Sequence, residues 1–332
     1  MNTVISAMAL NYPSGKLSVY LSDDGACPVT LQALGEAWKF AKMWVPFCEK
    51  YGVETICPAD YFAGQEVCDE LVVDSDEYGD EKVRIKEEYK SFARKMTKIS
   101  ESESCISNKD HPAVVEVMVD ENTHDQKKMP LLLRVSSSLS NSPYILGLDC
   151  DMHCNDRNSA RQAMCFHLDP KLSSSLAFVQ FPQTFHNISK HDIYKSELRY
   201  FFKTFLQGMD GIKGPGLCGT CYYLKREALF GPPSLLQDIN LNELKQSFGS
   251  SNEFIKSLHN KRDAKLECGK ALCDELLQEA KLLASCEYEN DTKWGKEVGF
   301  RYFTVVEDFL TSFNMHCKQW VSVLYMSSRP SF

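Results

Sequence analysis

Apolar positions recur through the first fifty residues with alternating periods. Residues 3–10 carry them at helical spacing, residues 17–21 at the period-two spacing of a strand, and residues 31–50 at the spacing of an amphipathic helix. That succession is the βα rhythm of a parallel sheet. Acidic side chains dominate residues 59–79. Residues 81–98 then set Val83, Ile85, Tyr89, Phe92 and Met96 at helical spacings within dense alternating charge, which predicts an exposed helix with a narrow apolar stripe. Strands are expected over 114–119 and 144–148, with a polar turn over 120–128 between them. A second charged stretch covers 232–296, with helices expected over 240–256 and 267–283. Residues 301–306 have strand character. They precede Phe309, Phe313, His316, Cys317 and Trp320 at helix-like spacing, of which Phe313 and Trp320 are expected in the core.

The run Tyr144-Ile145-Leu146-Gly147-Leu148 delivers Asp149 and Asp151 two residues apart. Side chains at i and i+2 of a strand lie on one face, so Asp149 and Asp151 are expected to aim at one point, with Cys150 turned away. Two anionic oxygen ligands at a strand end suit a hard divalent ion, Mg2+ or Mn2+, that keeps open positions for substrate phosphates. Asp23, Asp24 and Gly25 follow the strand expected over 17–21, which places a second acidic group at a strand end, where ligands of open α/β sheets bind. Asp-Asp-Gly is also a strong turn former. Glu307 and Asp308 form a third acidic site with two readings. They are the favoured residues of a helix N-terminus, or a carboxylate there is a general base for an incoming hydroxyl.

Composition narrows the field. The chain has 332 residues, 43% of them hydrophobic, enough for one large α/β domain or two modest ones. Its formal charge of −8, with no basic stripe, argues against a nucleic-acid partner. No apolar run approaches the roughly 18 residues of a membrane helix, and the first residues lack the pattern of a signal peptide, so the chain as given reads as soluble on the cytosolic side. The 14 cysteines are too scattered for a secreted disulfide framework. Cys218 and Cys221 have CxxC spacing, and Cys150, His153 and Cys154 are close in sequence, but no second CxxC completes a structural zinc site; these read as core or loop residues.

Taken in order, Asp23-Asp24-Gly25, Asp149-Cys150-Asp151, Gln180-Phe181-Pro182-Gln183, Gly214-Pro215, Gly219-Thr220 and Glu307-Asp308 closely resemble the plant cellulose synthase-like proteins. The phrases Ala163-Met164-Cys165-Phe166 and Gly208-Met209-Asp210-Gly211-Ile212 extend the resemblance over nearly the whole chain. Lys127 to Leu132 and Val306-Glu307-Asp308 look most like the E, G and M branches.

The resemblance implies a family-two, inverting glycosyltransferase with a GT-A fold: a nucleotide-sugar-binding α/β domain around a mostly parallel central sheet. It would occupy residues 1–332 as a single incomplete domain, interrupted by insertions at 59–128 and 232–296. By motif, Asp24, with Asp23 and Gly25, would contact the uridine part of a UDP-sugar donor. Asp149 and Asp151 would bind Mg2+ or Mn2+ and the diphosphate. Gln180, Gln183, Gly219 and Thr220 would line the acceptor cleft, and Asp308 would be the general base with Glu307 beside it.

The leading expectation is synthesis of a cell-wall β-glycan. The alternatives are transfer of a single sugar, for example glucuronosyl, to a lipophilic triterpenoid-type aglycone, and an inactive fragment that only binds nucleotide or associates with full-length relatives. An Asp-x-Asp phosphatase is disfavoured, since His153 stands where that motif wants Thr or Val. Family members are membrane-embedded in the Golgi, endoplasmic reticulum or plasma membrane, with the catalytic domain in the cytosol.

Departures from the pattern accompany the matches. The family's uridine-holding Asp-Pro segment would precede Met1, and its Gln-x-x-Arg-Trp segment and C-terminal membrane helices would follow Phe332. Leu131 to Val135 joins directly to the phrase before the Asp-x-Asp strand, where relatives carry a further strand and a lysine that faces the donor diphosphate. Cys221 stands where the second glycine of a Gly-Thr-Gly loop is expected, so that its side chain would narrow the acceptor cleft.

Overall fold

The computed structural model describes residues 1–23, 27–65, 76–101, 128–186, 188–193, 198–231, 241–251, 254–255, 274–284, 290–302, 304–327 and 330–332. They fall into two compact units, one from Met1–Pro112, Leu148–Arg161 and Arg329–Phe332, the other from Ala113–Gly147 and Gln162–Ser328. The strand expected over 114–119 lies outside the described residues, as do Asp24 and Gly25. No helix among the described residues is long and apolar enough to cross a membrane.

The first unit is helical. α1 (Asn2–Met8) and α2 (Pro28–Tyr51) form where helical periodicity predicts them. Pro28 starts α2, where a missing N–H costs nothing, and Gly52 ends it in the left-handed conformation at φ 61°. α3 (Pro58–Gln65) and α4 (Asp76–Glu101) follow. Ile85, Phe92 and Ile99 are buried at seven-residue intervals along α4, the narrow stripe expected, whereas Val83 is exposed. α4 packs on α2 and α3 through aromatic side chains: Phe40 of α2 stacks on Phe92 with ring centroids 5.3 Å apart, and Phe62 of α3 on Tyr89 at 4.8 Å. Buried Trp44 completes this core and donates to the Ile56 carbonyl at 2.9 Å. Residues 17–21 are not a strand. Val19 and Leu21 stay partly exposed, and no neighbouring strand among the described residues supplies the ladder that extended backbone needs.

The second unit holds the sheet. Its elements are α5 (Lys128–Leu139), β1 (Tyr144–Gly147), α6 (Ser159–His167), β2 (Leu176–Gln180), a π-helical turn at Phe201–Phe205 running into α7 (Leu206–Asp210), β3 (Tyr222–Lys225), α8 (Leu241–Phe248), α9 (Asp274–Ala284), α10 (Glu307–Cys317) and β4 (Val321–Leu324). Strand order is β1-β3-β2-β4. β3 runs antiparallel to both β1 and β2, and β4 is parallel to β2, so three of the four strands point one way. The reversal of β3 follows from where the chain returns. The Phe181 N–H, just past the end of β2, donates to the Cys221 carbonyl just before β3, so β3 starts at the edge where β2 stops.

The sheet therefore gathers Gly147, Gln180 and Leu324, the last residues of three strands, at the edge where Tyr222 begins β3. Behind it lies a core of Phe178, Leu224, Phe248, Phe254, Trp294 and Trp320. Residues Leu131 to Val135 are part of α5, which packs along α9. Buried Arg226 ties α5 to the end of β3, donating to the Leu133 carbonyl at 2.7 Å and the Ser136 hydroxyl at 2.9 Å.

Residues 301–302 and 304–306 are not a strand either. Val305 is 91% exposed, and the Arg301 N–H donates to the Thr311 hydroxyl of α10, so the segment folds onto its own helix. In α10 the expected core residue Phe313 is 55% exposed, while Trp320 beyond it is fully buried and donates to the Gly231 carbonyl at 2.7 Å. Trp320 closes the core with Met315 of α10, which is 3% exposed, so the buried face of the helix is the one bearing Thr311, Ser312 and Met315 and not the one bearing Phe313.

Candidate active site

At the edge shared by β1, β2 and β3, the loop 218–221 is held from several sides. The Gly147 carbonyl accepts the Cys221 N–H at 2.9 Å and the Thr220 hydroxyl at 2.8 Å. Gln180 is 0% exposed. Its amide nitrogen donates to the Phe181 and Thr220 carbonyls, both at 2.9 Å, and its amide oxygen accepts the Cys218 N–H at 3.2 Å. Gln183, only half-buried, donates to the Cys218 carbonyl at 3.1 Å. Gly219 has φ +60°, a conformation natural to glycine, and a Cβ there would sit 2.9 Å from the Gln183 amide nitrogen.

Asp308 completes the cluster. Glu307 and Asp308 open α10, and one Asp308 oxygen accepts the Gly219 N–H in a short hydrogen bond while the other accepts the Phe309 N–H at 2.6 Å. Asp308 thus opens a helix and faces a glycine loop. Cys218 registers both burial and the neighbouring charge: burial, then Asp308, pushes its thiol up to about 12. The loop is closed further by Gly216, whose missing side chain leaves room for the Phe309 ring, and by the Leu217 N–H, which donates to the Ser312 hydroxyl at 2.9 Å.

Five residues singled out from sequence, Gln180, Gln183, Gly219, Thr220 and Asp308, therefore come together. Gln180 differs in kind from the expectation. Its amide is spent on backbone groups beneath the loop, so it is a buried clip rather than a cleft wall. Cys221 also departs. It has φ +65°, the left-handed backbone suited to the glycine expected there, but its side chain is fully buried and narrows no cleft.

In the first unit, the turn bearing Asp149 and Asp151 is anchored through its backbone. The Thr3 hydroxyl donates to the Cys150 carbonyl at 2.9 Å, and the Cys154 N–H donates to the Ser6 hydroxyl at 3.0 Å. Arg157 donates to the Cys48 carbonyl at 3.0 Å, capping the end of α2. β1 stops at Gly147, and the Met152 N–H donates to the Asp149 carbonyl across a turn, so the same-face geometry of a strand does not apply to the two aspartates. Both are exposed. Two exposed carboxylates in one turn still fit a hard divalent ion by the chemistry of their donors, with positions left for water and phosphate oxygens. Asp23 is exposed in the same unit.

The cellulose synthase family model matches residues 1–128, 119–238 and 234–332. The chain belongs to the cellulose synthase family. Among curated members, it is 46% identical over its whole length to a quillaic acid 3-O-glycosyltransferase of Saponaria officinalis, of which it covers 51%. It is 32% identical to cellulose synthase A catalytic subunit 4 of Oryza sativa subsp. indica and 30% identical to subunit 3 of Arabidopsis thaliana, covering 43% and 41% of them. The chain thus spans about half the length of the curated relatives it matches. The first alignment runs over 360 residues against the chain's 332, so that relative carries at least 28 residues with no counterpart here. Because the whole chain is aligned, those residues are internal.

Proposed function

We propose that this chain is a catalytic-domain portion of a UDP-sugar-dependent glycosyltransferase that transfers one sugar to a lipophilic, triterpenoid-type aglycone. The observation that carries the choice of acceptor is the gradient of similarity: 46% identity to the quillaic acid glycosyltransferase against 30–32% to the cellulose synthase subunits, each over the full chain. Cell-wall β-glycan synthesis is the second reading, supported by those same subunits.

In this proposal Asp24, with Asp23 and Gly25, holds the uridine end of the donor, and Asp149 and Asp151 hold Mg2+ or Mn2+. Such an ion supplies charge neutralisation to the departing UDP. Asp308 takes the proton of the acceptor hydroxyl as that oxygen bonds to the anomeric carbon, and the bond from that carbon to the UDP oxygen breaks on the opposite side, inverting the centre. Two N–H donors, from Gly219 and Phe309, fix the Asp308 carboxylate before any acceptor arrives. A base held this way needs no reorientation at the moment of transfer. Gln183 and Gly219 shape the acceptor side, and buried Gln180 and Thr220, the latter bonded to the Gly147 carbonyl, set their position from below. The domain outline proposed with it is a single GT-A domain with insertions over 59–128 and 232–296.

Calorimetric titration of the chain with UDP and Mn2+ tests the donor half, with Asp149→Ala as control. The proposal expects metal-dependent heat that the variant lacks; no such heat in the wild type would remove the donor site. Incubation with a UDP-sugar and quillaic acid, or with a β-glucan oligosaccharide, then separates the two acceptor readings by product.

A further inference from the structure

We propose that Cys57, Asp60 and His153 form a binding site for a borderline-soft divalent ion of the zinc class, separate from the hard-ion pair Asp149 and Asp151. The three come from distant parts of the sequence to one place in the first unit. Cys57 immediately precedes α3, Asp60 lies in the first turn of that helix, and His153 follows the Asp149–Met152 turn. Their ligating atoms all lie within 4.8 Å of one another, and the His153 Nε2 is 2.6 Å from an Asp60 oxygen. Tetrahedral zinc sets its ligand atoms roughly 3.3–3.6 Å apart, so the cluster needs only small side-chain adjustments to close on an ion.

The donor set decides which ion. Thiolate and imidazole select zinc-class metals over Mg2+, which prefers oxygen throughout. Burial grades outward through the cluster. Cys57 is buried, the His153 side chain is 17% exposed and that of Asp60 47%, so the soft ligand lies deepest and the outer side is open for entry and for water as the fourth ligand. Burial holds the Cys57 thiol up at about 11, while the N–H groups of Ala59 and Asp60 point at the sulfur and favour its anion. On binding, the thiol proton passes to solvent, sulfur bonds the ion, and the imidazole gives up its hydrogen bond to Asp60 and takes the tautomer with hydrogen on Nδ1. Because His153 is two residues beyond Asp151, a filled site would pin the aspartate turn to α3.

Titration of the metal-free, reduced chain with Co2+ tests this, since a cobalt–thiolate bond has a charge-transfer absorption that oxygen ligands do not give. The expected result is one equivalent bound with that band, displaced by Zn2+, lost in Cys57→Ser, weakened at least tenfold in affinity in His153→Gln, and kept in Asp149→Asn. Zn2+ should also raise the melting temperature of the wild type and not of His153→Gln, a partly exposed position whose variant keeps the proposal testable if Cys57→Ser does not fold. Absence of the band in the wild type overturns the proposal. So does a band that survives both Cys57→Ser and His153→Gln, which would place the thiolate elsewhere, with buried Cys154 the nearest candidate.

Discussion

Replacing Gln180 by leucine separates a buried clip from a cleft wall. The substitution keeps the size of the side chain and withdraws its three shortest hydrogen bonds, to the Phe181 carbonyl, the Thr220 carbonyl and the Cys218 N–H, along with a longer one of 3.5 Å to the Cys221 carbonyl. At about 1 kcal/mol for each buried bond, the loss is about 3 kcal/mol, and the apolar side chain returns about 1 kcal/mol, for a net cost of about 2 kcal/mol. With a urea m-value of about 3 kcal/mol/M, the midpoint should fall by about 0.7 M. Tryptophan fluorescence is a suitable probe, because Trp294 and Trp320 are buried in the same unit. Gln183→Leu, which removes a half-buried bond at 3.1 Å, should move the midpoint by less than about 0.2 M. If Gln180→Leu unfolds within that same 0.2 M of the wild type, the reasoning fails and Gln180 is free to serve the cleft.

His167 should give the protein an acid limb: burial pushes its pKa down to about 4. The unfolded chain protonates it below about 6.5, so between those values the unfolded state holds the extra proton. Stability should be complete above pH 6.5, fall by up to about 3 kcal/mol as pH drops toward 4, and show a shallower slope in His167→Phe; equal slopes in urea melts at pH 4.5 and 7 would refute it. At Cys221, glycine relieves about 1 kcal/mol of left-handed backbone strain that alanine retains, so Cys221→Gly should melt higher than Cys221→Ala, the reverse of the usual order in regular structure. Asp308→Asn keeps an acceptor for the Gly219 N–H, so it should cost about 1 kcal/mol of stability but about 10²- to 10⁴-fold in sugar transfer; a rate within threefold of wild type would exclude Asp308 as the base.

What was legible in the sequence depended on whether a signal was local. α2 and α4 could be read because their apolar positions repeat along one face. β1 could be read from a continuous apolar run. The strands expected at 17–21 and 301–306 looked equally good, but a strand exists only where a neighbour completes its hydrogen bonds, and that information is not in the segment. The same limit explains Phe313, whose spacing says helix while its exposure depends on what packs alongside. Gln180 was noticed for its place in a motif, yet its role as a clip follows from loop carbonyls about 40 residues away. The group of Cys57, Asp60 and His153 was invisible because His153 lies 93 residues from Asp60 and the three match no spacing rule; His153 near two cysteines was the one hint.

The two candidate metal sites divide by chemistry in a way that makes them separately addressable. Asp149 and Asp151 offer only hard oxygen, exposed and adjacent in a turn, which suits an ion that arrives and leaves with a phosphate-bearing ligand. Cys57 offers a buried sulfur and His153 a partly buried nitrogen, which suits an ion that stays. Since Asp151 and His153 lie two residues apart on a segment anchored by Thr3, Ser6 and Arg157, movement of one site is constrained by the other. A resident soft ion would hold the aspartate turn in place before donor binds, lowering the ordering cost of capturing UDP with Mn2+. On this argument Zn2+ should tighten the Mn2+-dependent UDP heat in the wild type and leave it unchanged in His153→Gln; equal tightening in both would mean that the added ion acts at the aspartates instead.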